Sequence, residues 1–198
     1  MLKGLSAASA LERLPPEAQA SIAEHLLALY SPAIPAADLE IAAGHRAWSL
    51  ALDVIVAAAD GGSVLDAAAL AARAALNDLR IPETQATTIR GPEAKDANAA
   101  MRVEAGRRAG HFELVSHHEL GRSLATAEHL PVAITASLVG TDVLIDADEV
   151  EAATASSALA FGVHPSGAVT HLRQTGDGEL EWSTLVAALK VRAGLDSG

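Results

Sequence analysis

A mixed α+β fold is predicted from three observations. Apolar residues recur at helical spacing in two windows, 15–30 and 63–80. They alternate at period two over 46–59 and again in several shorter windows after residue 130. The order is helix, two strands, helix, a four-strand block and a last helix, rather than a regular alternation of strand and helix.

Each element has its own signals. Pro15 and Pro16 suit a first helical turn, and Ala18, Ile22, Leu26 and Leu29 share one face. Ser31-Pro32 ends that helix. Leu39 and Ile41 alternate with Glu40 in a short strand, and Gly44-His45 reads as a turn. From Arg46 to Ala59 the even positions carry Trp48, Leu50, Leu52, Val54 and Val56, which predicts a long strand buried on one face. Asp60-Gly61-Gly62-Ser63 stops it. Ser63 is the expected N-cap of the next helix, with Asp66 as capping-box partner. Leu65, Ala68, Ala72, Ala75, Leu76 and Leu79 form that helix's apolar stripe, and Pro82 limits its end.

Residues 86–129 differ in composition. Six basic residues (Arg90, Lys95, Arg102, Arg107, Arg108, Arg122) balance six acidic ones, so the rest of the chain carries the whole net charge. Apolar periodicity is weak there. A surface insertion or partly ordered loop is expected, with a short strand around Phe112 to Val115. Order returns at Leu130-Pro131: Val132, Ile134 and Ala136 alternate, Gly140-Thr141 turns the chain, and Val143 to Ile145 runs back. A short helix is expected over Glu149 to Thr154. A hairpin follows from Leu159 to Gln174 around Pro165-Ser166-Gly167, and Gly176-Asp177-Gly178 ends it. A final helix is expected from about Glu181 to Arg192.

Composition bounds the function. The 198 residues fit a single domain, 1–198, and half of them are hydrophobic. With 45 alanines and five aromatic residues, the core is built from small aliphatic groups. Fourteen basic against 25 acidic residues give a net charge of −11, which argues against a stand-alone nucleic-acid binder but not against an acidic subunit of a larger RNA machine. The absence of cysteine excludes disulfides, zinc ribbons and thiol nucleophiles. The most apolar run, 47–59, is too short to span a bilayer and is broken by Asp53, and no signal peptide is read, so a soluble intracellular protein is expected.

Few residues point to chemistry on their own. No phosphate-binding P-loop, nucleophile elbow, zinc-protease or dinucleotide motif occurs. His117-His118 lacks accompanying ligands at metal spacing, and the other six histidines are scattered. Asp53 reads as structural. Arg107-Arg108 reads as a solvated pair, although such a pair can also touch phosphate. The Asp60–Ser63 turn is the most informative element, because exposed amides at a helix N-terminus favour an anion. A phosphate site would want a basic side chain beside it, and Val64 stands there. No catalytic residue, metal or cofactor is therefore assigned.

Two collinear blocks resemble a known family. The first runs from Trp48 through Asp60-Gly61-Gly62-Ser63 and Asp66-Ala67 to Ile81-Pro82. The second comprises Leu130-Pro131, Val139-Gly140, Leu144-Ile145-Asp146-Ala147 with Glu151, Ser166-Gly167 to Thr170, and Gly176-Asp177-Gly178. Together they resemble the RNase PH-like subunits of the RNA exosome ring, and are most similar to the ribosomal RNA-processing protein 42 type. The resemblance covers about residues 13–193. It implies an RNase PH-like (ribosomal protein S5 domain 2-like) arrangement of mixed sheets and helices. Strands that precede the first helix in that fold are expected to be missing here.

The resemblance also implies a function. Family members form a hetero-hexameric ring with a central channel for RNA, and active ones degrade RNA from its 3′ end with phosphate as the attacking group. In those the Gly-Gly-Ser/Thr turn continues with a phosphate-holding arginine; here that position is Val64. They also carry a catalytic aspartate a few residues beyond Glu151; here Ser157 stands there, with Ser156 and Ala158 beside it. Both departures imply an inert ring subunit with no catalytic residue of its own. The implied partners are other RNase PH-like ring subunits, RNA-binding cap subunits, a hydrolytic exoribonuclease, and RNA through the assembly. The implied sites are nucleus, nucleolus and cytoplasm. Two alternatives remain open: a phosphorolytic exoribonuclease with a rearranged or shared site, using Asp53 or Asp66, and an RNase PH-like module reused in another assembly.

Overall fold

The structure is a computed structural model, and it describes residues 5–6, 14–42, 46–59, 61–86, 112–115, 121–179 and 183–186. Strand β1 (Leu5–Ser6) precedes helix α1 (Pro16–Tyr30), which starts at the expected proline pair and buries His25, Leu26, Leu29 and Tyr30. One short helix, α2 (Ala36–Leu39), was not legible from periodicity, because a single turn has no period to show. It leads into β2 (Glu40–Ala42), which pairs antiparallel with β3 (Arg46–Ala47).

The window 46–59 is the main departure from the sequence expectation. Its burial alternates as expected: Trp48, Leu50, Leu52, Val54 and Val56 turn inward, and the residues between them turn outward. The continuous strand does not form. Among the described residues, beyond β3 only β4 (Leu52–Asp53) is in a ladder, parallel to β1. A ladder needs a neighbouring backbone, whereas alternation needs only one apolar face against a core.

Helix α3 (Val64–Asp78) follows. Ala68, Ala69, Ala72 and Leu76 are buried, whereas Ala75, placed on the stripe from sequence, is exposed. The phenol of Tyr30 donates to the carbonyl of Ala69 at 2.7 Å and so ties α1 to α3. Burial pushes that phenol up to about 12, against the opposing pull of Arg73.

Four short strands come next: β5 (Arg80–Ile81), β6 (Thr84–Ala86), β7 (Phe112–Leu114) and β8 (Arg122–Ser123). β5 pairs with β8, and β6 with β7, both antiparallel. The strand expected around Phe112 is β7. Residues 87–111 and 116–120 of the 86–129 stretch, with Arg107, Arg108, His117 and His118, lie outside the described residues. At the end of the stretch Leu124 and Ala127 are buried in the core, Ala127 in a 3-10 turn over Ala127–His129. Asp38 anchors this turn region, its carboxylate accepting from the amide and hydroxyl of Thr126.

The four-strand block is the principal sheet, in the order β10-β9-β11-β12 and antiparallel throughout. Its members are β9 (Val132–Val139), β10 (Asp142–Ile145), β11 (Ser157–Val163) and β12 (Val169–Thr175). Gly140, at φ +62°, makes the β9–β10 turn. The expected short helix is α4 (Glu149–Thr154). It has a full capping box: Glu151 N–H donates to Asp148 at 2.7 Å, and Asp148 N–H donates to Glu151 at 2.9 Å. Of the final helix, residues 183–186 are described and helical.

The sheet's two faces differ in side-chain size. Ile134, Ala136, Leu138, Leu159 and Phe161 share one face and pack with Leu185. The opposite face carries Ala133, Thr135, Ser137, Ala158, Ala160 and Gly162, which lets α1 and α3 lie close against it. Helices and this small-residue face enclose the larger core, including Leu26, Leu29, Tyr30, Ala69, Leu76 and Leu130. Among the described residues no helix is long and apolar enough to cross a membrane.

Candidate functional site: the turn before helix α3

The site is built at the N-terminus of α3. Gly61 and Gly62 bring the chain to Ser63, whose Oγ caps the helix by accepting from Asp66 N–H at 3.3 Å. Gly62 has φ +41°, a left-handed conformation suited to glycine. A Cβ there would meet Asp146 Oδ1 at 2.7 Å. Asp146, just past β10 and itself at φ +57°, places its carboxylate on this turn and accepts from Ser63 N–H at 3.2 Å. A helix N-terminus favours negative charge, and here that charge comes from the chain itself.

The capping box expected from sequence is only half formed. Ser63 caps Asp66, but the Asp66 carboxylate does not return to the Ser63 amide. Thr135 takes it instead, donating its N–H at 2.8 Å and its hydroxyl at 2.7 Å. Two good donors on β9 outcompete one exposed amide, which Asp146 accepts from. Desolvation raises the pKa of Asp66, the bonds from Thr135 and Ser63 pull the other way, and Asp146 adds a smaller rise.

A groove of about 370 Å³ opens beside the turn. Val54 to Ala58 form one wall, and Val64, Ala67, Ala68 and Ala71 of α3 another. Among the described residues its polar lining is Ser63 and Asp146, and no basic side chain borders it. With a valine where a phosphate site would want a cation, the groove offers an inorganic anion no charge-assisted partner.

The residues singled out from sequence separate in space. Val64 lines the groove, but neither Asp53 nor Asp66 does. Asp53 is exposed on β4. Asp66 is occupied by Thr135 and faces the sheet. Ser157 is buried, its Oγ makes no hydrogen bond among the described residues, and it lies with Leu159 and Phe161 on the sheet face away from α3. The residue at the end of β11 that faces α3 is Ala158, since side chains alternate along a strand. No member of 156–158 is acidic, so the absence of a carboxylate there holds for either face. Glu151 serves as a helix cap. Asp60 lies outside the described residues.

Asp146 was not singled out as a site residue from sequence. It stood within the Leu144-Ile145-Asp146-Ala147 block, and a loop residue more than eighty positions from the turn has no periodicity to betray it. A second grouping was also missed. His25 on α1 and His171 on β12 meet edge to face with ring centroids 4.5 Å apart, and both Nε2 atoms are buried with no hydrogen-bond partner among the described residues. Burial, His171 and Arg173 lower the pKa of His25 to about 4 against a small upward pull from Glu24. Among the described residues no cluster of three or more potential ligands is placed to hold a metal ion.

This arrangement, a four-stranded antiparallel sheet backed by two helices with a Gly-Gly-Ser turn capping the second, is an RNase PH-like fold. Comparison with known proteins agrees. Residues 129–193 match the profile of the 3′ exoribonuclease family, domain 2 (RNase_PH_C). Among solved structures the chain is similar to an archaeal exosome core, at 22% identity and a TM-score of 0.59, covering 94% of this chain and 64% of that one. It is similar to the Archaeoglobus fulgidus exosome with RNA bound to the active site, at 22% identity and TM-score 0.59, over 95% and 63% of the two chains. Rice (Oryza sativa) Rrp46 is a more distant likeness, at 14% identity and TM-score 0.53, over 94% and 63%. The chain thus spans a little under two thirds of the length of these solved structures. No curated protein matches it significantly.

Proposed function

We propose that the chain is a non-catalytic RNase PH-like subunit of an exosome-type ring, supporting 3′-to-5′ RNA processing and degradation carried out by a separate hydrolytic nuclease. One observation carries the inert reading. The N-terminus of α3, the place where the resemblance puts phosphate, is filled by the chain's own Asp146, and Val64 stands beside it without charge. A carboxylate there repels phosphate rather than holding it. The acidic net charge of −11 supports a role through partners rather than through direct RNA affinity.

The proposal extends to its setting. Partners are other RNase PH-like ring subunits, RNA-binding cap subunits and the hydrolytic nuclease, in nucleus, nucleolus and cytoplasm. Placement with the ribosomal RNA-processing protein 42 type, with a role in ribosomal RNA maturation, belongs to the same reading.

The test is purification of the tagged protein from its own cells at moderate salt. Partners are identified by mass spectrometry, and the eluate is assayed for release of nucleoside diphosphates with phosphate. Ring chains together with a hydrolytic nuclease, and no phosphate-dependent release, are expected. Phosphate-dependent release that is lost in the Asp146→Asn variant would instead establish the phosphorolytic reading, since among the described residues Asp146 is the carboxylate that lines the groove. An eluate without ring chains would favour a module reused elsewhere.

A further inference from the structure

Helix α1 meets the principal sheet along a seam of three side-chain contacts. Glu24 pairs with Arg173 of β12 at 3.1 Å, and His25 meets His171 of β12 edge to face with ring centroids 4.5 Å apart. Leu29 lies over Gly162 of β11, where a Cβ would also crowd Thr170 and His171. The middle contact is the one that can change charge. His25 is 2% exposed, and its Nε2 and that of His171 are buried with no hydrogen-bond partner among the described residues. An imidazolium carries a full charge and donates from both ring nitrogens, so the Nε2–H of a protonated His25 is buried without an acceptor. The charge balance of the seam changes as well. Arg173 and Glu24 offset each other at neutral pH. A proton on each imidazole sets three cations against one carboxylate, and that carboxylate is the most exposed member, at 72%.

We propose that this seam is an acid-operated latch: protons taken up at the His25–His171 pair release the N-terminal turns of α1 from β12, while α3 and the principal sheet stay folded. The release is local because α1 is held differently at its other end. The phenol of Tyr30 donates to the carbonyl of Ala69 in α3 at 2.7 Å, a bond that acid does not titrate. The C-terminal turn therefore stays tied to α3 and serves as the hinge. The released turns have little to keep them helical, because a helix of this length is marginal without packing. The groups that set the charge at His25 all belong to the seam: His171 and Arg173 from β12, and Glu24 from α1 itself. β11 contributes Gly162, β1 is Leu5–Ser6 without an ionisable side chain, and Arg73 of α3 acts on Tyr30. Burial first, then His171 and Arg173, lower the pKa of His25 from 6.5 to about 4 against a small rise from Glu24, so acid favours the lifted helix, in which that constraint is gone. The latch is independent of the ring reading.

The test is amide hydrogen exchange on the full chain at about pH 7 and about pH 4.5. Protection of the amides of 20–26 in α1 is read as a ratio to that of 68–78 in α3, which cancels the intrinsic pH dependence of exchange. In the native chain the ratio is expected to fall about tenfold or more in acid. In His25→Phe, which keeps an aromatic ring and cannot take up a proton, it is expected to stay constant. Should that variant fail to fold, Arg173→Gln is expected to show a smaller fall than the native chain, because without Arg173 the folded pKa of His25 lies nearer its ordinary value. Two results would overturn the latch. One is a ratio that does not change with pH, whether both helices stay protected or open together. The other is a fall as large in His25→Phe, or in Arg173→Gln where that variant takes its place, as in the native chain.

Discussion

Thr135 holds the carboxylate of Asp66 with both of its donors, its amide at 2.8 Å and its hydroxyl at 2.7 Å. The pair joins the first turn of α3 to an interior strand of the principal sheet, so it fixes both the helix and the turn in front of it. Asp66→Ala leaves two donors unmatched in a partly buried place and is expected to cost about 2 kcal/mol. Asp66→Asn keeps an acceptor and is expected to cost about 1 kcal/mol or less at neutral pH. The pH dependence has a definite sign. Burial raises the pKa of Asp66 in the folded state, so its favourable contribution is fullest in acid and falls as pH rises through the raised value. Relative to Asp66→Asn, the native chain therefore gains stability as pH falls from neutral. Urea melts of both proteins across that range check this, and a constant difference would contradict it.

Asp146 and Gly62 form a matched set at the same turn. A side chain at position 62 would both adopt φ +41° and displace the Asp146 carboxylate. Gly62→Ala is expected to cost about 1–2 kcal/mol in thermal or urea unfolding. Asp146→Asn, which keeps the shape and removes the charge, is expected to cost about 0.5–1 kcal/mol through the weakened N-terminal cap. Equal losses in the two variants would mean that charge alone, rather than the close approach, sets the geometry.

The same turn yields a binding prediction. Inorganic phosphate is expected to leave the melting temperature of the native chain unchanged, because Asp146 occupies the helix end and Val64 brings no charge. The double variant Val64→Arg, Asp146→Asn reverses both features. It is expected to gain a phosphate-dependent rise in melting temperature. A rise in the native chain would show that the carboxylate does not exclude phosphate, and would undermine the inert reading.

What the sequence showed and what it hid follow one physical line. Periodic signals were reliable wherever a face met a core: α1, α3 and the β9–β12 block all lie where spacing put them, and even the alternation of 48–56 is real. Pairing was legible only across tight hairpin turns, as at β9–β10 and β11–β12, because any other ladder depends on a second, distant backbone. The long strand expected over 46–59 is therefore extended but mostly unladdered. Ser63 was correctly read as a cap, yet the partner assigned to Asp66 was wrong, since its true donor, Thr135, is sixty-nine residues away. Ser157 was placed by counting, and because side chains alternate along a strand its neighbour Ala158 is the one on the face toward α3. Asp146 and the His25–His171 pair are long-range meetings, invisible to any local pattern.

Gly162 marks where the sheet's small-residue face is tightest. A Cβ built there would collide with Leu29 Cδ1 of α1 and come within 2.7 Å of Thr170 Oγ1. Both neighbours belong to packed elements, and Leu29 is only 1% exposed. Gly162→Ala is expected to destabilise by about 1–3 kcal/mol as α1 is pushed from the sheet. Combining it with Leu29→Ala makes room for the methyl group, so the double variant is expected to lose less than the sum of the two single losses. Additive losses in urea melts would show that α1 does not rest on this glycine.

His25 gives the fold an acid-sensitive joint between α1 and β12. Its imidazole is 2% exposed, packs edge to face on His171, and has its pKa lowered from 6.5 to about 4, first by burial and then by His171 and Arg173. Glu24 pulls the other way, but it is exposed and engaged in an ion pair with Arg173 at 3.1 Å. A histidine whose folded pKa is lowered contributes stability that is full above its unfolded value and is lost as pH falls through the folded one. The loss therefore falls between pH 6.5 and about 4, with a size of about 3 kcal/mol at most. It opposes the gain from Asp66 over part of the same range, so each group is measured against its own variant. His25→Phe keeps an aromatic edge against His171 and cannot take up a proton. Denaturant melts across this range are expected to show the native chain losing stability relative to His25→Phe as the solution is acidified. Parallel stability curves for the two proteins would remove His25 as the cause of acid sensitivity.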